Sequence, residues 1–187
     1  MIFEVTPSQT VGPYFAIGLP FEDGPLIVAE DTPGAIRIEG TIYDGRGDVI
    51  PDHLIEFWQP DGEGRFADIY GYGEQSALAG FRGFGRYGVE DGDGTYHFIT
   101  VKPGQVPTPD GRLQAPHIDV TLFARGMLNR VVTRLYFADE AEANALDPVL
   151  AAVPAARRST LLAQPTPDGY RFDIHLQGQG ETVFFDV

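Results

Sequence analysis

The segment His117 to Arg125, HIDVTLFAR, places Ile118, Val120 and Leu122 on one side of the chain and His117, Asp119 and Thr121 on the other. A period of two is the pattern of a strand with one buried face, not of a helix. The pattern recurs. Ala35 to Tyr43 (AIRIEGTIY) alternates Ile36 and Ile38 with Arg37 and Glu39 before the turn residues DGRGD. His53 to Gln59 (HLIEFWQ) ends at PDGEGR, and Gly94 to Val101 (GTYHFITV) lies between DGDG and KPG. Gly, Pro and Asp at those junctions supply the backbone conformations that turns require. RVVTRLYF follows HIDVTLFAR across GMLN and predicts an antiparallel hairpin; YRFDIHLQ, GQGE and TVFFDV predict a second one at the end of the chain. Helical composition is confined to DEAEANAL and to PAARRSTLLA, where Pro154 can open a short helix as its first residue. With no alternation of strands and helices, the expected fold is an all-β sandwich of about eight strands with long loops and one or two short helices.

A length of 187 residues suits one domain, and no repeat or linker divides residues 1–187. Two stretches lack predicted regular structure, residues 1–34 and the Gly/Tyr-rich run from Glu63 to Tyr87; long irregular loops in a compact domain are where function is expected. The absence of cysteine excludes disulfides, thiolate nucleophiles and Cys-ligated zinc or iron-sulfur sites. A formal charge of -14 disfavours nucleic acid and anionic membrane surfaces as partners. No apolar run approaches the ~20 residues of a membrane span, and MIFEVTPSQT lacks the basic and apolar segments of a secretory signal, so a cytoplasmic protein is expected.

His117 and Asp119 project to the same side of a strand, as two ligands of one metal would, but a metal needs more than one histidine and one carboxylate. His53, His97 and His175 have no spacing that joins them to this pair. Both residues are therefore expected to be surface or interface hydrogen-bonding groups. GFRGFGRYG lacks the lysine and the strand-to-helix context of a phosphate loop, and no G-x-S-x-G surrounds a serine. In TPSQTVGPY, Gly12 and Pro13 form a tight bend that presents the Thr10 and Tyr14 hydroxyls either to a small polar ligand or to a neighbouring surface. Arg125, at a strand end beside Gly126, can meet a carboxylate bidentately or form a surface salt bridge.

Taken together and in order, TPSQTVGPY, IEFWQPDGEGRF, YHFITVKPG, APHIDVTLFARG, TRLYF and YRFDIHLQGQGETVFFD resemble the intradiol ring-cleavage dioxygenases nearly from end to end. The resemblance implies a β-sandwich and an oxidoreductase that cleaves a catechol between its two hydroxyl-bearing carbons with O2. It implies a ferric iron held by two tyrosines and two histidines, since Fe(III) is a hard Lewis acid that favours phenolate oxygens.

This sequence departs from that pattern at the ligands themselves. Where the iron-binding relatives carry the first tyrosine stands Phe66, and where they carry the second stands Val106. Their His-x-His pair reads His117 and Asp119, and the arginine before it is Gln114. Tyr70, four residues beyond Phe66, repairs at most one loss. The resemblance thus implies a non-iron-binding α subunit, inactive alone, with no catalytic residue and no metal on this chain. Its partner would be a catalytic β subunit that holds the Fe(III), in a higher oligomer of α-β protomers acting on protocatechuate and O2. Carried over onto matching positions, Thr10, Gly12, Pro13, Tyr14 and Arg125 would line the substrate pocket, with the arm 1–34 contacting the partner. The alternatives are a non-catalytic β-sandwich binding module and a stand-alone enzyme using His117 and Asp119 with another metal.

Overall fold

The structure is a computed structural model that describes residues 17–67, 76–89 and 92–186. Two layers of strands enclose its core. One layer is built on β1 (Ala35–Tyr43), which pairs along its whole length with antiparallel β4 (Thr95–Val101) and is flanked in parallel by β10 (Gly169–Arg171) and β11 (Ile174–His175). The other runs in the order β3 (Phe84–Val89), β2 (His53–Trp58), β7 (His117–Ala124), β8 (Val131–Phe137), all antiparallel. β9 (Leu162–Thr166) lies parallel to β8 and antiparallel to β10, so it carries the chain from one layer to the other and nearly closes the sandwich. A small ladder, β5 (Val106–Pro107) with β6 (Leu113–Gln114), stands apart.

The alternation that predicts the strands also fills the core. Ile38, Ile42, Tyr96 and Phe98 from the first layer meet Ile55, Phe57, Ile118, Val120, Leu122, Leu135 and Phe137 from the second, all buried. The Phe57 and Phe98 rings stack across the layers with centroids 3.9 Å apart. Removing one such ring by mutation to alanine costs about 3–5 kcal/mol. At the sheet end the Tyr96 hydroxyl donates to the Phe172 carbonyl at 2.5 Å; burial pushes the phenol well above its usual range, so it remains a neutral donor.

Three expectations are corrected. FGRYGV, inside the stretch expected to be irregular, is strand β3 and pairs with β2 residue for residue from His53 to Trp58. The closing hairpin is absent: Thr182 binds His175 through its backbone N–H and its hydroxyl, and Phe185 then crosses to Val132 of β8. After β8 come α1 (Ala141–Leu146), α2 (Pro148–Ala152) and a 3-10 turn at Ala155–Leu161, which Pro154 precedes as cap instead of opening an α-helix. Part of the N-terminal stretch belongs to the domain itself, because Ile27 and Val28 are buried in the core and Ile27 N–H donates to the Ile99 carbonyl. Among the described residues no helix is long and apolar enough to cross a membrane.

Candidate functional site

Of the residues singled out by sequence, His117, Asp119 and Arg125 fall at the two ends of β7. At its start, register determines the neighbours: His117 lies opposite Tyr136, and Asp119 lies between Arg134 on β8 and Trp58 on β2. Trp58 in turn stacks on Phe66, with ring centroids 6.1 Å apart and planes inclined by 17°. Val106 pairs with Gln114 in the small ladder. The Phe66 and Val106 loops are held against each other by backbone. Asp61 accepts from the N–H groups of Glu63 and Arg65, and its carbonyl accepts from Gly104 N–H at 2.8 Å. Gly64, with φ of 80°, approaches so closely that a Cβ would stand 2.3 Å from the Gln105 carbonyl oxygen. Gln59, fully buried, ties the same loop to β4 by donating to the Val101 carbonyl and accepting from the Thr100 hydroxyl.

The polar groups at this end satisfy one another. The Arg134 guanidinium donates from Nε to Asp119 Oδ1 and from Nη1 to Gln114 Oε1, both at 2.8 Å. Its pKa moves up: burial works against the charge, and the Asp119 carboxylate and the Tyr136 hydroxyl outweigh burial. His117, expected to be a surface or interface hydrogen-bonding group, is buried within its own chain, and its Nδ1 faces the Ala115 carbonyl at 2.7 Å. Burial first, and the Arg134 charge second, push the imidazole below its ordinary value, so it is neutral and Nδ1 carries the donated proton. Behind both lies Asp147, fully buried, which accepts from the N–H groups of Ala115, Val149 and Leu150 and from the Tyr136 hydroxyl. This residue escaped the sequence reading, although an Asp before Pro148 is the pattern of an N-cap followed by a first-turn proline.

A ferric ion does not suit these residues. Phe66 and Val106 offer no donor atom, the Asp119 carboxylate is bound to a guanidinium, and that fixed cation would repel a metal ion. Among the described residues no group of three or more His, Asp or Glu side chains is placed to hold a metal.

Arg125 lies beyond the other end of β7, six residues from Asp119 and therefore about 20 Å away along the strand. Its Nη2 is 2.6 Å from Asp52 Oδ2, and its side chain is 71% exposed. The chain thus does not bring Arg125 together with His117 and Asp119. Thr10, Gly12, Pro13, Tyr14 and Tyr70 lie outside the described residues.

The Dioxygenase family model matches residues 10–178. The chain belongs to the intradiol dioxygenase family. Within this family it is 47% identical to a protocatechuate 3,4-dioxygenase alpha chain of Burkholderia cepacia and 44% identical to one of Pseudomonas putida, over 97% of this chain and 97% and 96% of those chains. A protocatechuate 3,4-dioxygenase beta chain of Burkholderia cepacia is 31% identical over 79% of this chain and 66% of its own length. Among solved structures, the dioxygenase domain of a carbohydrate-binding fusion from Streptomyces sp. SirexAA-E matches with a TM-score of 0.58 at 25% identity, over 94% of this chain and 99% of that domain. An intradiol ring-cleavage dioxygenase from Tetranychus urticae shares the fold at 17% identity, with a TM-score of 0.57 over 92% and 93% of the two chains. The family membership accounts for the β-sandwich and for the resemblance of the ordered motifs.

Proposed function

We propose that this chain is the non-iron-binding α subunit of a heteromeric protocatechuate 3,4-dioxygenase. Its catalytic β subunit would hold the Fe(III), and the complex would add both atoms of O2 to protocatechuate, cleaving the ring between its hydroxyls to 3-carboxy-cis,cis-muconate. The observation that carries this reading is the closed end of β7. At the positions of the relatives' iron ligands stand a phenyl ring, an isopropyl group, and a carboxylate already paired with Arg134. The similarity to relatives named as alpha chains, and the weaker one to a chain named beta, support a protein that works beside a second, homologous chain.

In this reading Thr10, Gly12, Pro13, Tyr14 and Arg125 form a wall of the β subunit's substrate pocket, with the arm 1–34 contacting that subunit in a higher oligomer in the cytoplasm. Hydroxyls and a guanidinium are the donors that a ring carboxylate requires. The separation of Arg125 from the His117 end of its own chain fits a residue that serves a neighbour's site. The test is expression with and without the β subunit, followed by iron content, visible tyrosinate-to-iron absorption and turnover. Iron and activity are expected only in the complex; stoichiometric iron and turnover from the isolated chain would refute the proposal. A stable homo-oligomer that ignores an iron-bearing β subunit would instead favour a binding module without catalysis.

A further inference from the structure

Arg125 is held from two sides. It occupies the first central position of a turn in which Met127 N–H donates to the Ala124 carbonyl at 3.2 Å. Gly126 follows it at φ of 87°, a conformation that a side chain rarely tolerates. On the facing strand His53 pairs with Ala124, so the next residue outward, Asp52, stands beside Arg125. Arg125 N–H donates to the Asp52 carbonyl at 3.3 Å, and Arg125 Nη2 meets the Asp52 carboxylate at 2.6 Å. The two side chains differ sharply in exposure, 6% for Asp52 and 71% for Arg125. A buried carboxylate therefore grips one part of a guanidinium whose remainder faces outward. Neighbouring His53 is pushed down chiefly by burial, its Nδ1 faces the Ile50 carbonyl at 3.2 Å, and the Asp52 carboxylate opposes that downward shift.

We propose that Asp52 is a positioning residue that aims Arg125 and thereby sets the preference of the complex for a carboxylated catechol over an uncarboxylated one. The inference rests on the reading of Arg125 as a contact to the substrate carboxylate. A free arginine at a turn would have to be ordered by each substrate that binds, and the tether to Asp52 supplies that order beforehand. The planar guanidinium has five N–H donors, so engaging one edge leaves others in a fixed direction for a second carboxylate. Asp52 also offsets part of the positive charge, which weakens attraction for any anion at a distance. The arrangement gives up range and gains direction at contact. Asp52 does this without touching the substrate, so its loss acts on the carboxylated ring and spares the catechol.

The experiment uses the assembled α-β complex carrying Asp52→Ala, Asp52→Asn or Arg125→Ala. kcat and KM are measured for protocatechuate and for catechol, and Tm is recorded for each complex. Asp52→Ala is expected to raise KM for protocatechuate roughly tenfold and change kcat/KM for catechol less than about twofold. Asp52→Asn, which keeps the shape and one acceptor oxygen, falls between it and the wild type, and it decides the matter where the alanine variant does not assemble. An unchanged substrate preference in the Asp52 variants, with Arg125→Ala still selective, overturns the role of Asp52 alone. A loss that is equal for both substrates makes the ion pair a simple latch between β2 and β7 and overturns it too. A lower KM for protocatechuate without Asp52 does the same, because charge offset would then outweigh aim. Equal losses for both substrates in Arg125→Ala remove the underlying reading of Arg125, and the role of Asp52 falls with it.

Discussion

The two ends of β7 carry the same kinds of side chain, a guanidinium and a carboxylate, and use them oppositely. At the His117 end the Arg134 donors go to Asp119 and Gln114, and Asp147 is filled by three backbone N–H groups and a tyrosine hydroxyl. At the Arg125 end a single buried carboxylate holds a guanidinium that is otherwise exposed. A polar group whose partners are internal contributes to folding and has nothing left for a ligand, whereas one anchored on a single side is prepared to bind. The difference teaches that at the His117 end hydrogen bonds inside the sandwich occupy the polar groups that a ligand would otherwise meet. In the proposed function, recognition falls to the opposite strand end.

The comparison breaks most visibly at Asp147. Asp147→Ala leaves three N–H groups, two of them buried, without their acceptor and removes the cap of α2, a loss of about 3–5 kcal/mol. Thermal unfolding should report it as a fall in Tm of roughly 10 °C, with the substrate preference of the assembled complex unaltered. A Tm within about 2 °C of wild type would mean that the closed end does not depend on this carboxylate.

Arg125→Ala acts in the other direction. Its fall in Tm should be smaller than that of Asp147→Ala, because the guanidinium is 71% exposed, although the buried Asp52 carboxylate loses this partner. It should raise KM for protocatechuate roughly 10- to 100-fold relative to catechol, the range for one charge-assisted contact. Steady-state kinetics on the complex with both substrates gives the answer, and equal effects would return Arg125 to a surface salt bridge.

Arg134→Met keeps the bulk of the side chain and removes the cation. Asp119 is 40% exposed and can turn to water, so the expected cost is about 1–2 kcal/mol, below that of a fully buried pair. Denaturant titration measures it. If the closed end is purely structural, kcat/KM of the complex stays at the wild-type value, and a selective change for protocatechuate would show that the two ends are not separate.

Much of this architecture is legible in the sequence, for a physical reason. β4 and β7 alternate buried with less buried residues, so burial writes a period of two into their side chains, while β2 and β8 bury both faces over part of their length and read as apolar runs. β3 lacks that record because Gly85 faces the core: a Cβ there would stand 2.7 Å from Ile27 and 2.9 Å from Phe98. Its inward position is filled by neighbours and reads as a loop. The final segment has strand composition, yet Thr182 and Phe185 bond to different strands, a choice made by tertiary packing. At the site, Phe66 and Val106 were legible only through the family resemblance, whereas strand alternation alone singled out His117 and Asp119 as a same-side pair. The partner of Asp119 was hidden because it depends on the β7–β8 register, and that of Arg125 because it depends on where β2 begins.

The smallest effect concerns protons. Burial, then the Arg134 charge, hold His117 in the native state below the ordinary value of 6.5, whereas the unfolded chain titrates near 6.5. Between those two values the unfolded state binds more protons, so the contribution of His117 to stability is complete above 6.5 and is lost as pH falls towards the native value. His53 and His97 shift the same way, each chiefly through burial, so the wild-type protein should lose Tm as pH drops from about 7.5 to about 5.5. His117→Gln keeps a side chain able to hydrogen-bond the Ala115 carbonyl and removes one of the three contributions. Its Tm should therefore fall less steeply across the same interval, while Arg125→Ala retains the wild-type slope. An identical slope in His117→Gln would mean that the imidazole takes up its proton in the native state as readily as in the unfolded chain, and so is protonated at the low end of this interval. Arg134 would then lie beside a second positive charge, and the account of the closed end as a neutral, internally satisfied network would have to be abandoned.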